Sequence, residues 1–169
     1  MPKQTKFKRF IRLLILLAVL QFVSVTAASA QTRYDLASYS DLEISIDQNG
    51  SHNNALSTQH GSNLYAQITQ TGNHNNLQSH QSGNTQHALM YQDGIDNSTN
   101  VAQSGVGNQI YISQEGTINR TDVRQLGDFG AAEIIQNGAG NQILLEQFNS
   151  GQFISIHQTG NNIHTEVWQ

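Results

Sequence analysis

The chain has no cysteine and a single proline, Pro2. Without thiols there is no disulfide and no thiolate metal site. Without internal proline, no backbone donor is lost to a ring nitrogen, so every residue after Pro2 can take part in a β-ladder. Lysine is confined to Lys3, Lys6 and Lys8. Beyond residue 30 the only bases are Arg33, Arg120 and Arg124, against 12 acids, a formal charge of −9 with histidine neutral. No basic patch exists to release counterions, which argues against nucleic acid as the primary partner. Such a surplus of acid keeps chains soluble by mutual repulsion. Leucine, isoleucine and valine are sparse for a conventional core. No nucleophile elbow, phosphate loop or metal-binding motif is present. An enzyme on a β-helix would be longer, with charged clusters on one face.

The first 30 residues differ from the rest. Lys3, Lys6, Lys8, Arg9 and Arg12 precede the apolar run Leu13 to Leu20, then Phe22 and Val23. Ala28 and Ala30 flank Ser29 as a small-x-small cleavage site. The pattern predicts a secretory signal peptide over residues 1–30, its apolar run being short for a membrane span. Residues 31–47 form a leader whose Ile44 and Ile46 already anticipate the pattern that follows, as a degenerate first strand.

That pattern is glutamine every eleven residues: Gln48, Gln59, Gln70, Gln81, Gln92, Gln103, Gln114, Gln125, Gln136, Gln147, Gln158 and Gln169. Twelve glutamines without a slip mean units of equal size, which a stacked solenoid keeps and a globular enzyme does not. Two residues after each glutamine stands glycine: Gly50, Gly61, Gly72, Gly83, Gly94, Gly105, Gly116, Gly127, Gly138 and Gly160, with Asn149 the exception. Five residues after it asparagine recurs at Asn53, Asn75, Asn97, Asn119 and Asn141, on alternate units, and also at Asn108. The alternation makes the true repeat 22 residues. Gly and Asn tolerate positive φ, so Gln-x-Gly-x-x-Asn reads as a tight turn.

The seventh and ninth columns are apolar or small, for example Ala66 with Ile68 and Ile110 with Ile112. With the next glutamine they lie two apart and face one side of a strand. No acid, base or histidine after Gln48 falls in the glutamine, glycine, fifth, seventh or ninth columns, as a dry interior requires. An eleven-residue period also marks right-handed helical coiled coils. Here a glycine in each unit would cost a helix about 1 kcal/mol apiece, which rules that reading out.

The expected fold is therefore all-β: a parallel β-solenoid of about six 22-residue strand-turn-strand rungs over residues 48–169 and the strand before them. Successive rungs lie about 4.8 Å apart, forming two facing sheets bordered by amide ladders. A side-chain amide both donates and accepts, so identical residues on successive rungs are expected to bond one another. No helix, proline or charged cap is visible at either end, so both ends read as open templates.

The units from Gln48 to Gln59 and from Gln136 to Gln147 resemble the curlin repeat, Gln-x-Gly-x-x-Asn-x-Ala-x-x-x-Gln. Curlins are the subunits of curli, the extracellular functional amyloid of bacterial biofilms. Arg33-Tyr34-Asp35-Leu36-Ala37 and the uninterrupted spacing resemble the minor, nucleating subunit of the family. The resemblance implies passage through a dedicated outer-membrane export pore with its accessory factors, residence in a cell-surface fibre, and templating of the major curlin subunit. It implies no cofactor and no catalysis. The end of the chain departs from the family pattern: Asn149 and Ile163 replace the glycine and asparagine, Gly151 is displaced, and the basic character of the minor subunit's terminal repeat is missing. Other classes fit less well. The outward eighth column (Leu56, Gln67, Gln78, Leu89, Asn100, Tyr111, Asp122) lacks the threonine array of an ice-binding solenoid. His52 and His74 share one turn column, but two ligands make a poor zinc site. Asp93, Asp96, Glu115 and Asp128 in turn columns read either as gatekeepers against self-assembly or as ordinary surface charge.

Overall fold

The structure, a computed structural model, describes the backbone of residues 20–35 and residues 41–169 in full. The basic residues of the expected signal peptide and most of its apolar run lie outside the described residues. There are ten strands and, among the described residues, no helix. They are β1 (Leu20–Asp35), β2 (Leu42–Asn73), β3 (Asn76–Ile95), β4 (Ser98–Val106), β5 (Gln109–Thr117), β6 (Arg120–Gln125), β7 (Ala131–Ala139), β8 (Gln142–Gln147), β9 (Phe153–Asn161) and β10 (His164–Trp168).

From β2 onward all pairing between strands is parallel, with each residue opposite the one 22 positions later: Ala55 with Leu77, Leu77 with Thr99, Ala88 with Ile110. The expected parallel β-solenoid is borne out, and the chain makes about five turns. One face carries β4, β6, β8 and β10, the other β5, β7 and β9; β2 and β3 run round a turn and contribute to both. β1 alone pairs antiparallel, along β2.

The core lies between the faces. The period of two puts every second side chain inward, and Ile44, Ile46, Ile68, Met90, Val101, Ile112, Val123, Ile134 and Leu145 are fully or almost fully buried. Each large aliphatic contributes about 1.5–3 kcal/mol by leaving water. Small residues share the seventh column with large ones, as at Ala55, Ala66 and Ala88. The apolar core is thus thin, and the buried polar columns carry a large share of the interior.

The turn geometry differs in one respect from the sequence expectation. Asparagine of the fifth column does not take positive φ. Glycine of the second column does, Gly127 excepted, and so does whatever residue occupies the fourth: His52, Asn63, His74, Thr85, Asp96, Ile118, Phe129 and Asn162 all have φ near +57°. The second-column glycines are forced by close stacking as well as by φ. A Cβ on Gly94 would stand 1.9 Å from the carbonyl oxygen of Gly116.

Candidate functional site: amide ladders and stacking edges

The glutamines form two continuous ladders. In one, the Nε2 of Gln48 donates to Oε1 of Gln70, Gln70 to Gln92, Gln92 to Gln114, Gln114 to Gln136, and Gln136 to Gln158. In the other the same bond runs from Gln59 through Gln81, Gln103, Gln125 and Gln147 to Gln169. The bond from Gln48 to Gln70 is 2.5 Å, that from Gln147 to Gln169 is 3.2 Å, and the others are 2.7–2.9 Å. Every bond points the same way, amide hydrogen toward the higher-numbered rung. The ladders therefore have a direction.

The other amide hydrogen crosses the core. Gln70 Nε2 reaches the carbonyl of Asn54 at 3.1 Å, Gln81 that of Tyr65 at 3.1 Å, and Gln136 that of Arg120 at 3.2 Å. One side chain thus ties successive rungs and opposite faces together. Buried amides need this: an unpaired polar group in a dry interior costs about 1–3 kcal/mol.

Threonines join the same network, which sequence reading missed. Thr99 Oγ1 donates to Gln114 Oε1 at 2.8 Å and accepts from Gln92 at 3.1 Å. Thr121 does likewise between Gln136 and Gln114. Their column reads as apolar or small, and nothing local marks the hydroxyl as bonded. Only the offset of seven residues to the preceding glutamine on a two-sided stack brings the groups together.

Asparagines form a ladder of a different kind. They bond backbone, not each other. Asn97 Nδ2 donates to the carbonyl of Gly116 at 3.0 Å, and its Oδ1 accepts the backbone N–H of Asn119 at 3.0 Å. Asn53, Asn75, Asn119 and Asn141 repeat the arrangement. The reason is the position in the turn, where the next rung's glycine carbonyl faces the amide; Asn54, in the column beside it, bonds Asn76 directly at 2.9 Å. On the opposite turn Asn108 makes the same bonds to Gly127 and Gly130, and Gln86 donates to Gly105. Gln86 is a member that asparagine counting overlooks.

Gly50, Gly61, Gly72, Gly83, Gly94, Gly105, Gly116, Gly138 and Gly160 lie at turns with positive φ. Gly127 does not, and Asn149 replaces the glycine one rung on; in these two turns the fourth column keeps its positive φ, Phe129 at +57° and Gly151 at +71°. His52 and His74 stack at 4.7 Å with rings within 4° of parallel. Among the described residues no group of three or more His, Asp or Glu comes together. Asp93, Asp96, Glu115 and Asp128 are outside the core. Asp128 Oδ1 accepts the N–H of Val106 at 2.8 Å, tying two turns together. Arg120 pairs with Asp122 at 2.7 Å, and that hydrogen bond and charge raise the guanidinium's pKa further above its ordinary value.

The two edges differ. At the high-numbered end β9 and β10 have no strand beyond them among the described residues, and Ile154, Thr165, Val167 and Gln169 are only half-buried. Phe153 and Trp168 are exposed there. At the low-numbered end, which the sequence left open, β1 lies along β2. Ala28 and Ala30 of the expected cleavage site fall within β1.

No curated protein and no solved structure matches the chain. Residues 40–72 and 94–127, which supply segments of both glutamine ladders, match the curlin associated repeat, the finding that supports the curlin family for this chain.

Proposed function

We propose that this chain is a structural subunit of extracellular curli fibres, and within that family the minor subunit that nucleates polymerisation of the major curlin at the cell surface. The observation that supports it best is the pair of directional glutamine ladders, which run from the first rung to the last with one spacing. Any chain with the same 22-residue rung can continue them. Forming a first pair of rungs has a large entropic cost and little return, whereas adding to a formed edge does not. A preformed edge of matching width removes that lag for its partner.

On this reading the leader directs secretion, the mature segment after Ala30 engages an outer-membrane export pore and its accessory factors, and the fibre serves adhesion in biofilm. The role is structural and needs no cofactor. The test is seeded kinetics. Substoichiometric amounts of the mature chain should shorten the thioflavin lag of a major curlin from the same cell. Removing the gene should leave that major curlin secreted and soluble. If mass spectrometry found this chain to be the bulk of the fibre, it would be the major subunit instead.

A further inference from the structure

One outer face of the solenoid carries a pair of side chains that the fibre role does not use. Tyr91 and Tyr111 stand on the neighbouring strands β3 and β5, where Tyr91 lies opposite Ser113 and Leu89 opposite Tyr111. The two tyrosines are thus diagonal neighbours. Met90 and Ile112 next to them in sequence are fully buried, so the period of two turns both phenols outward on the same face. Their ring centroids are 5.8 Å apart, with the planes inclined at 48°. Tyr111 is 37% exposed and Tyr91 is half-buried. Both rings border solvent and can turn about their side-chain bonds. The third tyrosine of the solenoid, Tyr65, faces the His87 ring at 6.0 Å instead.

We propose that Tyr91 and Tyr111 are a site of oxidative cross-linking, at which a one-electron oxidant, a haem peroxidase with hydrogen peroxide, joins the two rings as dityrosine. The chain has no cysteine, so no disulfide can close any of its turns. A phenol pair is the other oxidative staple that side chains offer. Each phenol gives up one electron and one proton and becomes a phenoxyl radical. The radicals couple through the ring carbons ortho to oxygen, forming one carbon–carbon bond. Each of those carbons then releases its hydrogen as a proton, and each oxygen takes one up as the rings recover aromaticity. The net loss is two hydrogen atoms, which reduce hydrogen peroxide to two waters. The fold holds the partners together, so coupling within the chain outruns encounter between chains. Directly bonded rings stand closer than these by about the length of one carbon–carbon bond. Closing that gap moves two surface side chains and no backbone. From Tyr91 the chain runs through the turn at Gly94, along β4 and back through the turn at Gly105 to Tyr111, nearly one circuit of the solenoid. The new bond closes that circuit covalently. It restricts the unfolded chain and leaves both glutamine ladders as they are, so the stapled protein is the more stable.

The test treats the full chain, as a dilute monomer, with a haem peroxidase and hydrogen peroxide, once folded and once in urea. An endoprotease that cuts before aspartate then separates the two tyrosines at Asp93 and Asp96. The folded monomer should yield fragments 47–92 and 96–121 joined, lighter than their sum by two hydrogen atoms and showing dityrosine fluorescence. In urea the joined product should fall at least several-fold. Tyr91→Phe and Tyr111→Phe should each abolish it with circular dichroism unchanged, while Tyr65→Phe should leave the yield at the parent's level. The purified stapled monomer should unfold at a urea midpoint about 1 M higher than the unoxidised chain. Equal yields in the folded and urea-treated chains would overturn the site. So would a joined product in either of the first two variants, or oxidised tyrosines with no joined product. An unchanged midpoint would overturn the staple. All of these are readings on the monomer, so they leave the fibre role to be tested separately.

Discussion

The two sides of the solenoid are built from the same eleven-residue unit, yet their turns are not alike. On one side the fifth column is Asn53, Asn75, Asn97, Asn119 and Asn141, five identical residues that each close on the next rung's glycine and N–H. On the other it is Leu64, Gln86, Asn108, Gly130 and Gln152. Leu64 and Gln86 are both fully buried, so the site accepts an aliphatic or an amide. Gln86 Oε1 has no partner, and Gln152 Oε1 has none either. The asparagine side is a continuous polar line in which each member completes its neighbour. The variable side is a series of separate solutions to the same turn. The lesson is that a polar ladder tolerates little substitution because one deletion orphans groups on two rungs, whereas an apolar or mixed column can change one rung at a time.

The sharpest way to break the comparison is through the glycines. Gly94→Ala should prevent folding of the middle rungs, a loss above about 3 kcal/mol, because its Cβ would meet the Gly116 carbonyl at 1.9 Å and φ is +129°. Gly160→Ala, on the last rung with nothing nearer than 3.5 Å but the same φ of +129°, should cost only the backbone strain of about 1–2 kcal/mol. Urea midpoints of the two variants check it; equal losses would show that close stacking is not what fixes glycine here.

Next comes the asparagine line itself. Asn97→Leu should cost about 2–4 kcal/mol, since it leaves the Asn119 N–H and the Gly116 carbonyl buried without partners. Gln86→Leu on the variable side should cost less, about 1–2 kcal/mol: it removes the amide bonds to the Ser82 and Gly105 carbonyls, but no N–H depends on the unpaired Gln86 Oε1, and Leu64 fills the same column one rung earlier. Matched denaturation of both proteins would decide it. Similar losses would mean that the two sides are energetically equivalent.

The all-β parallel solenoid and its inward columns were legible in sequence because a strict period leaves few alternatives. Ile112 and Ile134 fall two residues from Gln114 and Gln136, and no charge enters those columns. The details of the polar network were not legible, for a geometric reason. Which acceptor an amide meets depends on where its column sits: the strand-end glutamines face the next glutamine, while an amide in the fifth column of the turn, Asn97 or Gln86 alike, meets the next rung's glycine carbonyl. Periodicity is blind to that difference. It is equally blind to Thr99 and Thr121, whose hydroxyls lie in a column shared with Ala55 and Leu77. The antiparallel β1 was hidden too, because Leu20–Asp35 shares no spacing with the repeat.

Those threonines give a smaller test. Thr99→Val keeps the shape and removes a hydroxyl that bonds Gln114 at 2.8 Å and Gln92 at 3.1 Å. Both glutamines retain their ladder partners, so the loss should be about 1 kcal/mol. Combined with Thr121→Val, the loss should exceed the sum of the two, because both hydroxyls bond Gln114. Simple additivity in a double-mutant cycle would show the two hydroxyls acting independently.

The smallest expected effect has the opposite sign and lies at the asparagine-side turn. Ile118 sits at φ +58° and is 64% exposed. A β-branched residue in the left-handed region is strained, since its Cβ crowds the backbone there, at a cost of about 1–2 kcal/mol. It gains nothing from burial in return. The same column holds Gly140 at φ +68° and Asn162 at φ +57°, residues that accept this conformation. Ile118→Asn should therefore raise the stability of the folded chain by about 0.5–1 kcal/mol, without touching either ladder. A higher urea midpoint with unchanged slope is the expected reading. If the midpoint fell, the exposed isoleucine would be making a contact that the isolated subunit does not contain. A lateral contact between fibres would then be the place to look, by comparing the variant's bundling with that of the parent at equal fibre mass.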